Sequence, residues 1–90
     1  MKQLPTAADF EAETRLRWAD AAKRGRDFVD IRAGTLHGHL GGYPAGPGGN
    51  HRMPVCCEVM KRLMTSRDRI LSAPRSGQGA SLTIRYSLPR

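Results

Sequence analysis

The sequence predicts a small α+β domain, three helices packed on a small antiparallel β-sheet whose last two strands form a hairpin. Three features predict it: a long segment of helical composition near the start, a later segment with apolar residues every three or four positions, and a final segment of strict apolar/polar alternation. Ninety residues suit a single domain over 1–90 with one core. Hydrophobic residues are 39% and charged residues 26% of the chain, a balance that folds rather than staying disordered.

The first helix is expected over residues 7–24, which are rich in Ala, Glu, Arg and Leu and free of Pro and Gly. Thr6 and Asp9 have the spacing of an N-cap and its capping-box partner, and Gly25 can take the left-handed conformation that ends a helix. Ala8, Ala12, Leu16 and Ala19, flanked by Phe10 and Trp18, supply the expected apolar side. Residues 1–5 are expected to be a flexible lead-in. Phe28-Val29-Asp30-Ile31-Arg32 reads as a short strand with Val29 and Ile31 on one face, broken by Gly34. Thr35 can then cap a short helix over 36–40.

Residues 41–49 are almost entirely Gly and Pro and form a turn without regular structure. A third helix is expected over 50–65, with Pro54 in its first turn. Val55, Cys56, Val59, Met60, Leu63 and Met64 form its core-facing stripe, opposite Cys57, Glu58, Lys61 and Arg62. Ile70-Leu71-Ser72-Ala73 begins the hairpin, and Leu82, Ile84, Tyr86 and Leu88 alternate with polar residues on its second strand. Residues 74–80 between them, with Gly77 and Gly79, are expected to be a mobile loop.

Charge points to a partner. The net charge is +7 and the pI about 10.5, which suits a polyanion. Residues 1–45 carry a balance of only +1, whereas residues 46–90 carry eight Lys/Arg against two Asp/Glu. The basic surface therefore belongs to the third helix and the hairpin. No apolar run approaches the roughly 20 residues that span a bilayer, so no membrane partner is expected. The opening residues show no apolar stretch of the kind a secretory signal needs, so export is not expected. Cys56 and Cys57 are neighbours, a poor geometry for a mutual disulfide, and are expected as reduced thiols in a cytoplasmic protein.

The order helix, strand, short helix, loop, amphipathic helix, strand, loop, strand resembles the winged-helix variant of the helix-turn-helix over nearly the whole chain. That resemblance implies that the helix over 50–65 enters the DNA major groove and that the 74–80 loop, the wing, reaches the backbone or minor groove. The implied activity is double-stranded DNA binding by a transcription regulator or a DNA-targeting accessory protein, without a cofactor. Asn50, His51 and Arg52 lie at the helix N-terminus, where free N–H groups and the helix dipole favour phosphate, and Asn and Arg can also pair with base edges. Lys61 and Arg62 extend the cationic surface, and Arg75, Ser76 and Gln78 have the chemistry for backbone or minor-groove contact on the wing. Each has a plainer role open to it: Asn50 as a helix cap, Arg52 as an ion-pair partner, Lys61 and Arg62 as a solvated face. Gly41-Gly42-Tyr43-Pro44, the run from Asn50 to Cys57 and the run from Ser76 to Ile84 also resemble small uncharacterised prokaryotic or phage proteins. That similarity spans about residues 28–90 and bears on fold more than on function.

Three rival readings differ in class. A winged helix can serve as a protein adaptor without DNA affinity, or as a homodimer. His37, His39, His51, Cys56 and Cys57 are zinc-ligand types, but no Cys-x-x-Cys or His-x3–5-His pair occurs, and adjacent cysteines on a helix diverge by about 100°. Catalysis finds no nucleophile–base pair, phosphate-loop lysine or carboxylate pair at suitable spacing, so no enzyme is expected; Cys57 is a candidate exposed thiol.

Overall fold

Helix α1, Ala7–Lys23, starts where local chemistry dictates: the Thr6 side chain accepts from the Asp9 amide at 3.3 Å while Asp9 accepts from the Thr6 amide at 2.7 Å. It ends as a Schellman motif, with Gly25 at φ 78°, its amide donating to Ala22 O at 2.9 Å and the Arg26 amide to Ala21 O at 3.0 Å. The computed structural model describes residues 5–40 and 53–90. Pro5 is buried, which shortens the expected lead-in; residues 1–4 and the expected turn over 41–49 lie outside the described residues.

The buried side of α1 is Phe10, Thr14, Trp18 and Ala21, not the expected stripe. Ala8, Ala12 and Ala19 are exposed and Leu16 is 63% exposed. Alanines carry too little apolar surface to choose a helix face; Phe10 and Trp18, eight positions apart and larger, choose it. Thr14 follows them inside because its hydroxyl donates to Phe10 O at 2.8 Å and so leaves no unpaired donor.

Strand β1, Phe28–Arg32, runs directly into helix α2, Ala33–His39. The expected cap at Thr35 and start at 36 are three residues late. No side chain caps α2; instead its first free amides are taken by the chain that leads into the last strand, Ala33 N to Leu82 O at 2.7 Å and Gly34 N to Ala80 O at 2.9 Å. Gly34 does not break structure there. A Cβ on it would lie 3.0 Å from Ala80 Cβ and 3.1 Å from Ala80 O, so the residue permits a close approach between α2 and the β2–β3 connection.

Helix α3 is Met53–Arg62, β2 is Arg69–Ser72 and β3 is Thr83–Ser87. The sheet is antiparallel in the order β1-β3-β2, with Ile31 and Ile70 both opposite Ile84 and a bulge between Ile70 and Ser72. The described residues thus form an α+β arrangement of three helices and a three-stranded antiparallel sheet. As expected, Leu82, Ile84, Tyr86 and Leu88 are all buried, and they meet Phe10, Trp18, Leu36, Cys56, Val59 and Met60 in one core. His37 lies wholly inside, its ring 5.6 Å from that of Phe10, and burial holds its pKa below the usual range.

Two side chains join the layers. The Tyr86 hydroxyl donates to Met60 O at 2.8 Å, satisfying a carbonyl in the last turn of α3, and its ring stands 5.1 Å from that of Trp18. Asp68, whose side chain is fully buried, accepts from the Thr65 amide at 2.8 Å, the Ser87 amide at 2.8 Å and Arg90 Nη1 at 2.7 Å. Burial alone would raise its pKa, but the bonds from Arg90, Ser87 and Thr65 outweigh that and hold it below the ordinary aspartate value.

Removing the hydroxyl in Tyr86→Phe leaves the Met60 carbonyl unpaired and is expected to cost about 1–2 kcal/mol in urea unfolding, with an unchanged m-value. Because the Asp68 pKa is lowered on folding, its contribution is complete above the ordinary value near 3.9 and is lost as pH falls through the lower folded value. Asp68→Asn is therefore expected to be less stable at pH 7 and to lose less stability than the parent on acidification, measured as thermal midpoint between about pH 7 and pH 2. Parallel acid profiles would place the acid-sensitive group elsewhere.

Candidate nucleic-acid interface

Residues 73–82 connect β2 to β3 and hold most of the described candidate residues. The Gly77 amide closes a turn onto Pro74 O at 2.9 Å, with Gly77 at φ 83°. Ser76 Oγ donates to Gln78 O at 2.8 Å and accepts from the Gln78 amide at 3.4 Å, so this hydroxyl shapes the turn. The loop expected over 74–80 lies along α3. Lys61 Nζ donates to Gly77 O at 2.6 Å, and Cys57 Sγ accepts from the Gly79 amide at 3.3 Å and reaches Gly79 O at 3.5 Å. Cys57 and Lys61 are four residues apart and share one helix face, which is the face the loop covers.

That covering overturns the expectation of Cys57 on the wet side of α3: it is fully buried, as is Cys56. Both thiols are free, and burial pushes both pKa values up, that of Cys56 to about 12. A buried protonated thiol is a poor nucleophile, so the exposed-thiol reading of Cys57 falls. The face of α3 left to solvent is Pro54, Glu58 and Arg62, and Arg62 Nη2 bonds Glu11 of α1 at 3.0 Å. Asn50, His51 and Arg52 lie outside the described residues.

Arg75 and Gln78 are exposed, and their side chains make no hydrogen bond or ion pair among the described residues. The structure thus brings Lys61, Arg75, Ser76 and Gln78 onto one unit formed by α3 and the loop, with Arg62 on an adjoining face that leans toward α1. Elsewhere five cations are matched by acids, Arg15 with Glu11 at 3.0 Å, Arg17 with Glu13 at 3.4 Å, Arg24 with Asp20 at 3.2 Å, Arg85 with Asp30 at 2.8 Å and Arg90 with Asp68 at 2.7 Å, while Lys23, Arg26, Arg32 and Arg67 are exposed and make no ion pair among the described residues. Sequence reasoning missed Arg69, which is exposed and has no acidic partner among the described residues; only the charge asymmetry between the halves hinted at it.

The described residues contain no group of three His, Cys, Asp or Glu placed to hold a metal ion, and among them no helix is long and apolar enough to cross a membrane. A groove of about 810 Å³ between α1 and β1 is lined by Leu16, Ala21, Phe28, Val29 and Ile31 among charged residues. Comparison with known families, curated proteins and solved structures finds no match to this chain.

Lys61→Met removes the charged donor from Gly77 O while keeping the methylene stem. A hydrogen bond from a charged group contributes about 1.5–3 kcal/mol, so amide exchange at Gly79 is expected to speed up roughly tenfold or more, with a smaller loss of global stability. Unchanged exchange at Gly79 would mean that Lys61 is not one of the loop's anchors.

Proposed function

We propose that the protein binds double-stranded DNA, as a transcription regulator or as an accessory that targets another factor to DNA. The element order α1–β1–α2–α3–β2–β3 and the strand order β1-β3-β2 favour a winged-helix arrangement, with α3 as the groove helix and residues 73–82 as the wing. The observation that carries the reading is the pinned loop. Lys61 and Cys57 fasten it to α3, so that Arg75 and Gln78 belong to the same rigid unit as the helix. Groups held in advance lose less entropy when they meet a surface.

The residues then divide by role. Arg52, with Asn50 and His51, which precede α3 in the chain, takes base reading in this proposal, and Arg75 and Gln78 take backbone or minor-groove contact. Lys61 acts as the loop's anchor while adding positive potential, and Ser76 sets the turn. Arg62 shares its charge with Glu11 and contributes field more than a contact. The role is binding, not catalysis.

An adaptor role has one observation in its favour, the groove beside β1, where Leu16 is 63% and Phe28 41% exposed. Anisotropy of a labelled duplex against salt separates the two. About six phosphate contacts give a log–log slope near −5. Arg75→Ala is expected to weaken binding on every sequence and to flatten the slope by about one, whereas Arg52→Ala costs about 1–3 kcal/mol and relaxes base preference. Absence of binding at low salt would leave the adaptor reading.

A further inference from the structure

We infer that the duplex contact extends beyond the wing along the free edge of β2, where Arg67 and Arg69 continue the phosphate track begun by Arg75; this rests on the DNA-binding reading above. Among the described residues β2 pairs only with β3, leaving its other edge without a strand partner there, and all four of its residues are exposed. Arg69 and Arg75 make no ion pair among the described residues, and there the Arg67 guanidinium donates only to the carbonyls of Pro89 at 3.3 Å and Leu88 at 3.5 Å, which leaves its charge unneutralised.

The acid in this segment has been removed from the surface. Asp68 sits between Arg67 and Arg69, yet its side chain is fully buried and bound to Arg90, Ser87 and Thr65. The β2 side of the sheet therefore presents three cations and no exposed carboxylate between residues 67 and 75. The β1 side differs. Its groove carries Glu13, Asp20 and Asp30 among its arginines, and Arg85 is held by Asp30 in a bidentate pair at 2.8 and 3.0 Å. One side of a single small sheet carries both signs of charge and the other carries cations alone, which is the complement of a polyanion lying along one side only.

Scale agrees with this. Six residue steps separate Arg69 from Arg75, a span that could not exceed about 20 Å even if fully extended, against a charge every 3.4 Å of axis on each strand of a duplex. Several phosphates of one strand fit within that reach. The bulge between Ile70 and Ser72 adds twist to the edge, a geometry that discourages pairing with another strand and leaves the side chains as the contact surface.

The test is the salt dependence of duplex binding by the full chain, read by anisotropy. Arg69→Ala is expected to flatten the log–log slope by about 0.9 and Arg67→Ala/Arg69→Ala by about twice that, independently of sequence. Leu71→Lys, which adds a cation at an exposed position on the same edge, is expected to steepen it by a similar amount. Arg26→Ala, exposed in the turn before β1, serves as the control and leaves the slope unchanged. If Arg75→Ala flattens the slope while Arg69→Ala and Leu71→Lys do not move it, the β2 track is overturned and the wing contact stands. If the parent binds no duplex at low salt, both fall. Circular dichroism spectra matching the parent's show that each variant is folded.

Discussion

The hydrogen bond from the Tyr86 hydroxyl to the Met60 carbonyl is the contact through which the sheet and the helices hold one another in place. β3 is the central strand, and Tyr86 is its largest buried residue, so the position of its ring fixes where α1 crosses through Trp18 and where α3 ends through Met60. The carbonyl it satisfies would otherwise be an orphan of a helix terminus, and Arg90 does the same for Leu63 O at 3.0 Å. The C-terminal end of α3 is thus closed by residues from and beyond β3, not by its own sequence. With that end fixed, Cys57 and Lys61 face the β2–β3 connection, and the loop has a surface to lie on.

The loop is held in three places by two kinds of donor. The Lys61 ammonium and the Gly79 amide work across α3, and the amides of Ala33 and Gly34 draw residues 80–82 onto the start of α2. The last of these explains a helix of seven residues with no side-chain cap: its N-terminal donors are satisfied by tertiary contact. A loop so fastened can carry Arg75 outward without moving. Order in the backbone and freedom in the side chain are compatible there because the anchors are main-chain carbonyls and amides.

Elements governed by near neighbours were legible in the sequence. The capping box at Thr6, the Gly25 terminus of α1, the bounds of β1 and the alternation of β3 all follow from residues within a few positions. What was not legible depended on residues distant in the chain. α2 begins at Ala33 because Leu82 and Ala80 lie against it, and Cys57 is buried because Gly79 covers it. Periodicity assigned Cys57 to the wet face correctly for an isolated helix, but a helix cannot record that a loop will return to that face some twenty residues later. The buried stripe of α1 failed for another reason: several alanines outnumbered two aromatics, and area, not number, decides which face goes inside. For the candidate site, residue type was legible for Arg75, Gln78 and Lys61, while the distinction between a contact and an anchor was not.

The same physics accounts for the one-sided charge. A carboxylate between two arginines would ordinarily pair with one of them at the surface and halve the local potential. Asp68 is withheld from that role because four donors inside the domain, two backbone amides, the Thr65 hydroxyl and a guanidinium, hold its charge better than solvent shared with Arg67 or Arg69 would. The acid that stabilises the turn between α3 and β2 is in consequence invisible to a ligand. The cations flanking it remain in water, where their hydration keeps them from destabilising the fold. A domain of this size carries a basic edge at little cost to its stability when its own carboxylates are turned to structural use, and the turn at Asp68 is where this chain does so.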